Sequence, residues 1–317
     1  MLKSDALHDR FSSGLDEFLA SYPKDGLYAP IHYLLKIRGK RIRPILALSV
    51  CEAEGSTLEE AIPAAVAVEL FHNFTLMHDD IMDRAPLRRG QATVHEKFSE
   101  DAAILSGDAM FSLALTSLEK APKNSLIEML KIFNRTARQV CEGQQLDMEF
   151  EEREDVSIDD YLEMIRLKTS VLLACSCAMG AISAGASPDR VELWYRFGEQ
   201  VGLAFQIQDD LLDTFGNELN TGKKVGGDIV AEKKTFIWLY TKQKGGITSN
   251  LLTKLDGPEK IVKVRAAMLE VGAEMAAQKK MNSYADEAIS ALSKLGLDSK
   301  KSLWFEELVS SVTKRTS

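Results

Sequence analysis

Two acidic clusters of the same form lie within apolar segments whose hydrophobic residues recur at helical spacing. The first is Asp79-Asp80-Ile81-Met82-Asp83, and the second is Asp209-Asp210-Leu211-Leu212-Asp213. Because one helical turn takes about 3.6 residues, the first and last aspartates of each cluster share one face of a helix. Two carboxylates about 5 Å apart repel each other by roughly 3 kcal/mol at an effective dielectric constant near 20. One such cluster is typical of a solvated acidic face, but two copies favour a site that binds a metal ion.

The donor atoms of these clusters indicate which metal to expect. They are carboxylate oxygens, and the four cysteines have neither Cys-x-x-Cys nor histidine-paired spacing. Oxygen donors suit a hard cation, so we expect Mg²⁺ in preference to Mn²⁺. We expect the cysteines to be free thiols in a reducing cytoplasm.

Helical periodicity extends over almost the whole chain, without an alternating strand pattern or a composition shift that would mark a linker. The sequence therefore predicts one all-α domain over residues 1–317. The net charge of −8 argues against a nucleic-acid-binding protein, which would carry a basic excess. The uncharged run from Thr169 to Pro188 has the length of a membrane span, but its many small residues favour a buried helix.

The predicted helices begin and end at polar, proline and glycine breaks in the periodicity. Ser56 and Glu59 have the spacing of a capping box, and the first cluster is expected near the end of a helix from Pro63 to Met82. The second cluster is expected on a helix from Val191 to Phe215. The segment Gly216–Gly227 is rich in Gly, Asn and Lys and lacks apolar anchors, so it is a candidate lid. The final predicted helices run from Pro258 to Met281 and from Tyr284 to Leu295.

Basic residues recur close to the acidic clusters along the chain. Arg88 and Arg89 follow Asp83 by five and six positions, and Lys168 precedes the long uncharged run. Cations around a metal-binding acidic pair suggest a polyphosphate held by Mg²⁺ on one side and by Arg and Lys on the other. The chain has neither a P-loop pattern nor a nucleophile with a histidine partner, so we expect electrostatic activation of a diphosphate leaving group. The further basic positions are Lys40, Arg41, Arg43, Lys223, Lys224, Lys233 and Lys234.

Taken in order, these motifs resemble those of trans-isoprenyl diphosphate synthases in the polyprenyl synthetase family. The resemblance covers nearly the whole chain and implies a single large all-α helical bundle around a central cavity. It departs from the family's common Gly-Gly-Lys-Arg at one position, where Arg38 replaces the first glycine. The blocks that carry the resemblance are Gly39-Lys40-Arg41-x-Arg43-Pro44, Glu69-x-x-His72, the first cluster with Arg88-Arg89-Gly90, Gly143-Gln144-x-x-Asp147, Lys168-Thr169, and Phe205-Gln206-x-Gln208 leading into the second cluster.

The resemblance implies a role for each matching residue. Asp79, Asp83 and Asp209 would ligate Mg²⁺, as three ions with substrate bound, and Asp80, Asp210 and Asp213 would lie nearby. Thr169 and Gln206 would face the allylic carbocation. The allylic diphosphate would be held by Arg88, Lys168, Lys233 and Lys223, with Lys224 as the alternative to Lys223. The diphosphate of isopentenyl diphosphate would be held by Lys40, Arg43, His72 and Arg89.

The resemblance also bears on product length. The growing chain is expected to run along the helix of the first cluster, where Phe74 lies five positions before Asp79 and is followed by the smaller Thr75. A single aromatic residue there resembles enzymes that make geranylgeranyl diphosphate, whereas a second aromatic would resemble farnesyl diphosphate synthases. We therefore expect geranylgeranyl diphosphate, with farnesyl diphosphate as the alternative.

Two other functions are weighed against chain elongation. A class I terpene cyclase shares one acidic cluster but does not need Lys40, Arg43 or a second full cluster. A non-catalytic subunit of a heteromeric synthase is expected to lack one cluster or its basic residues, and this chain retains both. A cytoplasmic homodimer is implied by the family alone.

Overall fold

Hydrophobic residues at helical spacing form helices throughout the described part of the chain, which comprises residues 2–37, 39–216, 225–247 and 257–314 of the computed structural model. The β-structure of these residues is one hairpin, in which β1 (Leu87–Arg88) pairs with β2 (Gln91–Ala92). The prediction of an all-α fold is therefore confirmed. The described residues do not include Arg38, where the sequence departs from the family pattern. They also do not include Lys223 and Lys224 of the candidate lid.

The chain divides into two compact units, Met1–Ala137 with Cys175–Tyr195 and Arg138–Ala174 with Arg196–Ser317. A short 3₁₀ turn at Gly26–Tyr28 precedes α2, and a π-helical turn at Arg166–Ser170 separates α8 from α9. The α-helices are α1 (Leu2–Leu19), α2 (Ala29–Lys36), α3 (Ile42–Ala53), α4 (Leu58–Met82), α5 (Val94–Lys97), α6 (Glu100–Leu118), α7 (Leu126–Glu152), α8 (Ile158–Ile165), α9 (Val171–Ser183), α10 (Pro188–Phe215), α11 (Gly227–Val230), α12 (Phe236–Gln243), α13 (Gly257–Glu270), α14 (Ala273–Lys294) and α15 (Ser299–Thr313).

In the first unit, α4 packs along α3 and α6. Most residues from Ala61 to Phe71 are buried, which matches the apolar run that precedes the first cluster. The helix begins at Leu58, five residues before the predicted Pro63, and its N-cap residue is Thr57. The predicted capping box of Ser56 and Glu59 is wrong, because the N-cap is Thr57 and no side chain caps the helix. The Glu59 carboxylate accepts a hydrogen bond from Arg10 Nε at 3.0 Å.

In the second unit, the C-terminal helices differ from the prediction. The break falls at Gly272, whose φ of 74° is the left-handed conformation that glycine adopts without a steric penalty. Helix α14 therefore runs without interruption past Asn282 and Ser283, where the sequence suggested a break. Helix α15 was not predicted; Asp298 caps it by accepting hydrogen bonds from the N–H groups of Lys300 and Lys301 at 3.1 and 3.0 Å.

Among the described residues, one helical run, Ile158–Ser183, is long and apolar enough to cross a membrane. Of its most apolar 18-residue window, 83% is buried inside the protein. Such burial is typical of a core helix, so the prediction of a buried helix over the uncharged run is confirmed.

Candidate active site

The first cluster lies at the end of α4, immediately before the β-hairpin. Asp83 follows the last residue of the helix, and its N–H still donates to the carbonyl of Asp79 at 2.8 Å. The helical register therefore extends to Asp83, as the sequence predicted. Arg89 and Gly90 form the hairpin turn with φ values of 52° and 75°, which suits the type I′ geometry of a two-residue connection.

The hairpin returns Arg88 to the first cluster. Its Nε lies 2.9 Å from both carboxylate oxygens of Asp80, and its Nη2 lies 2.8 Å from Asp80 Oδ1 and 3.7 Å from Asp79 Oδ2. Asp80 is only 1% exposed. The guanidinium predicted to hold a diphosphate is thus also the counter-ion of a buried carboxylate.

Four arginines surround His72 in the same unit. Burial lowers the pKa of His72 well below its ordinary value, and the nearby charges of Arg43, Arg89, Arg88 and Arg41 lower it further. His72 is therefore neutral. Arg43 Nη1 lies 3.2 Å from His72 Nε2, and because a guanidinium can only donate, Nε2 is the acceptor and the ring proton lies on Nδ1.

A buried acidic residue balances part of this charge. Glu69 is 3% exposed and accepts hydrogen bonds from Arg41 Nη1 and, at 2.8 Å, from Asn73 Nδ2. Arg41 precedes α3 with a left-handed φ of 48°. Burial lowers the pKa of Arg43 to about 10, and the negative charge of Glu69 opposes that shift. The structure thus brings Arg43, His72, Arg88 and Arg89 together, while Lys40 is exposed two residues before α3.

The second unit contains a cavity of about 510 Å³. Four residues predicted for the allylic side of the reaction line it: Lys168, Thr169, Gln206 and Lys233. Asp147, Tyr161, Asp210 and Asp228 are among its other lining residues.

The π-helical turn gives Lys168 and Thr169 their positions. A Cβ atom on Gly143 would lie 2.3 Å from the backbone nitrogen of Lys168, so only glycine lets α7 approach this closely. Asp147 follows Gly143 by about one turn of α7, and its Oδ2 lies 2.6 Å from Lys168 Nζ. Thr169 Oγ1 donates to Gln206 Oε1 at 3.2 Å. The family block Gly143-Gln144-x-x-Asp147 therefore has a local explanation, since it places and orients Lys168.

Carboxylates crowd the other side of this cavity. Burial raises the pKa of Asp210 well above its ordinary value, and the charges of Asp228 and Asp209 raise it further. Hydrogen bonds from Tyr161 Oη and, at 3.4 Å, from Gln206 Nε2 oppose the shift. Burial also raises the pKa of Asp228 to about 6, with contributions from Asp213, Asp147 and Asp209, whereas Lys233 lowers it.

The backbone after the second cluster is bonded back to it. Gly226 N–H donates to the Asp213 carbonyl at 2.7 Å, and Asp228 N–H donates to Asp213 Oδ1 at 2.9 Å. Lys233 N–H in turn donates to the Asp228 carbonyl at 2.9 Å. These bonds place Asp228 and Lys233 beside the second cluster.

The carboxylates fit a divalent cation, because burial and then mutual repulsion raise the pKa values of Asp210 and Asp228, and a bound cation would favour their ionised forms. Among residues 2–37, 39–216, 225–247 and 257–314, no three His, Cys, Asp or Glu side chains form a complete metal site by themselves. Mg²⁺ commonly takes one or two carboxylates and completes its coordination with substrate phosphates and water. The donor set therefore suits Mg²⁺ bound together with a diphosphate.

Four residues of these sites had no assigned role in the sequence-based prediction. Glu69 and Asp147 lie within recognised motif blocks, and Asp228 follows a glycine pair after the second cluster. Nothing in the sequence around Tyr161 indicates that its hydroxyl reaches Asp210, because the two residues lie on different helices.

Comparison with known proteins gives a consistent result. The model of the polyprenyl synthetase family matches residues 24–271. A geranylgeranyl diphosphate synthase from Methanosarcina mazei is 43% identical over 236 residues, which cover 74% of this chain and 72% of the relative. A geranylfarnesyl diphosphate synthase from Natronomonas pharaonis is 37% identical over 252 residues, 74% of each chain.

Solved structures of similar proteins match almost the whole chain. A crystal structure of a geranylgeranyl pyrophosphate synthase has a TM-score of 0.94 and 40% identity, and the match covers 99% of both chains. A geranylgeranyl pyrophosphate synthase from Corynebacterium glutamicum, complexed with isoprenyl diphosphate and magnesium, has a TM-score of 0.85 and 25% identity over 98% of both chains.

Proposed function

Because the chain belongs to the polyprenyl synthetase family of prenyltransferases, we propose that it condenses isopentenyl diphosphate with an allylic diphosphate to make geranylgeranyl diphosphate. The observation that carries this proposal is the cavity of the second unit. There Lys168 and Lys233 supply positive charge, and Thr169 and Gln206 supply neutral dipoles beside Asp210 of the second cluster. This combination suits the ionisation of an allylic diphosphate.

The predicted metal ligands are Asp79, Asp83 and Asp209, and we propose three Mg²⁺ ions with substrate bound. Bound Mg²⁺ would supply electrostatic stabilisation of the diphosphate leaving group. Lys168 and Lys233, together with Arg88 and with Lys223 outside the described residues, would hold the allylic diphosphate.

The neutral side chains of the cavity have a different role from its lysines. Thr169 and Gln206 are hydrogen-bonded to each other, which fixes their dipoles without placing a strong nucleophile next to an allylic cation. Helices that exclude water from this cation would prevent its hydrolysis.

The basic cluster of the first unit suits the second substrate. Arg43, Arg89 and neutral His72, with Lys40 nearby in the sequence, would hold the diphosphate of isopentenyl diphosphate. Arginine can bind phosphate oxygens with two parallel hydrogen bonds, which positions the substrate as well as neutralising it.

An aromatic cluster supports the proposed product length. Phe74 stacks on Phe111 of α6 with ring centroids 5.5 Å apart and an interplanar angle of 27°. Phe111 in turn stacks on Phe133, which is 1% exposed. The sequence indicated Phe74, with Ser112 and Leu115 of the facing helix, and the ring contacts of Phe111 support it as an additional wall residue. Partly buried Phe74 and Phe111, with buried Phe133 behind them, would favour a defined stop for a growing chain. The geranylfarnesyl relative shows that longer products occur among similar proteins.

The test is incubation of the purified protein with Mg²⁺, isopentenyl diphosphate and each allylic primer, followed by chromatography of the products. We expect consumption of isopentenyl diphosphate and accumulation of geranylgeranyl diphosphate. A Phe74→Ala variant should make longer products, whereas Leu105→Ala, at an exposed position of α6, should not. Turnover of the allylic substrate alone would indicate a cyclase, and no turnover would indicate a non-catalytic subunit.

The remaining proposals concern the state of the whole protein. We propose that the chain acts as a single polyprenyl synthetase domain and as a cytoplasmic homodimer without a nucleic-acid partner. The family model and the matching solved structures, which extend over both compact units, support the first of these.

A further inference from the structure

A short segment of the second unit carries three of the cavity's charged residues. It contains α11 and runs from Gly226 to Lys233, and Asp228, Glu232 and Lys233 from this segment all line the cavity. Two of its backbone N–H groups are bonded to Asp213, as described above. The position of Asp228 and Lys233 therefore depends on what holds the rest of the segment.

Helix α13 contacts the segment near both ends. Gly226 has a φ of 93°, and a Cβ atom there would lie 2.9 Å from Ile261 Cγ2. The neighbouring residue, Lys260, is 8% exposed, and its Nζ donates to Glu232 Oε1 and, at 3.4 Å, to the Val230 carbonyl. A lysine is rarely buried to this extent unless it is paired, and both of these hydrogen bonds of Lys260 go to this segment.

Glu232 adopts a backbone conformation that disfavours its own side chain. Its φ is 53°, and among the described residues of the second unit it is the sole non-glycine residue with positive φ. A residue other than glycine remains in this region only when surrounding contacts hold it there. The ion pair with Lys260 is such a contact.

We propose that Lys260 is a positioning residue, whose ion pair with Glu232 holds the Gly226–Lys233 segment so that Asp228 and Lys233 face the cavity. This inference rests on the proposed function for its substrate, the allylic diphosphate. Lys260 contacts neither the cavity nor a reacting group; it acts through Glu232 and the Val230 carbonyl.

The first experiment compares Lys260→Met with Lys263→Met. Lys263 lies on the same helix and pairs with Glu259 at 2.7 Å on the exposed surface, so it is a matched control. We expect Lys260→Met to raise the KM for the allylic diphosphate about tenfold, because Lys233 is no longer held in place, and to leave the KM for isopentenyl diphosphate within about twofold. Lys263→Met should change neither value. Equal increases in both KM values, or no increase, would overturn the proposal.

The second experiment separates pairing from backbone strain at position 232. Glu232→Ala loses the ion pair and keeps the unfavourable φ, whereas Glu232→Gly loses the pair but adopts a φ of 53° freely. We expect the alanine variant to show the larger increase in the KM for the allylic diphosphate. A glycine variant that is as impaired as the alanine variant would show that the pair does not hold a strained turn.

Amide hydrogen exchange supplies a readout that does not depend on the reaction. In Lys260→Met, the N–H groups of Asp228 and Lys233 should lose protection, and in Lys263→Met they should keep it. Unchanged protection in Lys260→Met would show that Lys260 does not hold the Gly226–Lys233 segment, whatever the activity of the variant. If protection is lost but the wild-type protein consumes neither substrate, the role of Lys260 stands and the proposed function is overturned.

Discussion

Asp80 and Asp210 occupy the same place in two clusters of identical form, and both are buried, with exposures of 1% and 4%. Their partners differ in kind. Asp80 receives the guanidinium of Arg88, whereas Asp210 receives the hydroxyl of Tyr161 and the amide of Gln206. A guanidinium brings a full positive charge, but a hydroxyl and an amide bring only dipoles.

The difference shows that the buried aspartate of the same motif can be stabilised either by a full positive charge or by neutral hydrogen-bond donors. Burial, and then the charges of neighbouring aspartates, raise the pKa of Asp210 and of Asp228. Hydrogen bonds from Tyr161 and Gln206 only oppose the shift of Asp210. The second cluster is thus the one with the greater need for a cation from outside the protein. The identical spacing of the clusters conceals this contrast, because the partners come from other helices.

The largest expected effect comes from removing the charge of one proposed metal ligand in each cluster. Asp79→Asn and Asp209→Asn should each lower kcat by roughly three orders of magnitude, because the developing negative charge of the leaving group loses its stabilisation. Steady-state kinetics with Mg²⁺ measures the loss, and circular dichroism checks that the fold is retained.

Asp108→Asn, at an exposed position of α6, is the control for this pair and should retain wild-type kcat. A variant of either cluster that keeps a tenth or more of the activity would exclude that cluster from metal binding. A defect confined to Asp209→Asn would show that only the second cluster needs an external cation, because Arg88 neutralises the first cluster by itself.

The second effect concerns stability in the first unit. Arg88→Met leaves Asp80 buried without its counter-ion, which should lower the free energy of unfolding by roughly 3–5 kcal/mol, the usual cost of breaking a buried pair. Denaturant titration followed by circular dichroism measures the change. The double variant Arg88→Met with Asp80→Asn should recover much of the loss.

Arg10→Met is the matched control, because it breaks a more exposed ion pair with Glu59, which lies on α4 like Asp80. Such exposed pairs contribute about 1 kcal/mol or less. If Arg88→Met is no more destabilising than Arg10→Met, then Arg88 is not the counter-ion that stabilises the first cluster.

Most helices follow from the sequence, and several predicted site residues lie close together within each unit, while their roles stay predictions. The spacing of Asp79 and Asp83 and the apolar run before them are local properties, and the structure reproduces both. Of the residues predicted on the allylic side of the reaction, Lys168, Thr169, Gln206 and Lys233 line one cavity. Ordered motif blocks carried this information, since no local pattern alone relates Lys168 to Gln206.

The features that the sequence did not predict depend on residues that are far apart in the chain. Glu59 does not complete a capping box because Thr57 is the N-cap, and the Glu59 carboxylate pairs with Arg10 of another helix. The close approach of α7 to the π-helical turn at Lys168 requires Gly143, and the Asp210 carboxylate accepts a hydrogen bond from Tyr161 of α8. Such partners are set by packing, and sequence spacing does not indicate them.

A smaller effect is expected for the neutral partner of the second cluster. Tyr161→Phe removes a hydroxyl that is buried against Asp210, which should cost roughly 1–3 kcal/mol in unfolding free energy. Its loss should also move the pKa of Asp210 further upward, since this hydrogen bond opposes the effect of burial. Denaturant titration should place this variant between wild type and Arg88→Met. A loss as large as that of Arg88→Met would remove the distinction between dipolar and charged partners.

The smallest expected effect is a pH dependence at Asp228. Its pKa is raised to about 6 in the folded protein, so the ionised form is disfavoured there relative to the unfolded chain. Asp228 therefore destabilises the fold progressively as the pH rises from near its ordinary carboxyl pKa through about 6, and its contribution is absent below that range. Thermal midpoints measured without Mg²⁺ should fall across this interval more steeply for wild type than for Asp228→Asn, and added Mg²⁺ should reduce the difference if a cation offsets the crowded carboxylates. Parallel pH profiles for the two proteins would show that protein side chains already neutralise the carboxylates around the second cluster, as Arg88 does for Asp80 in the first.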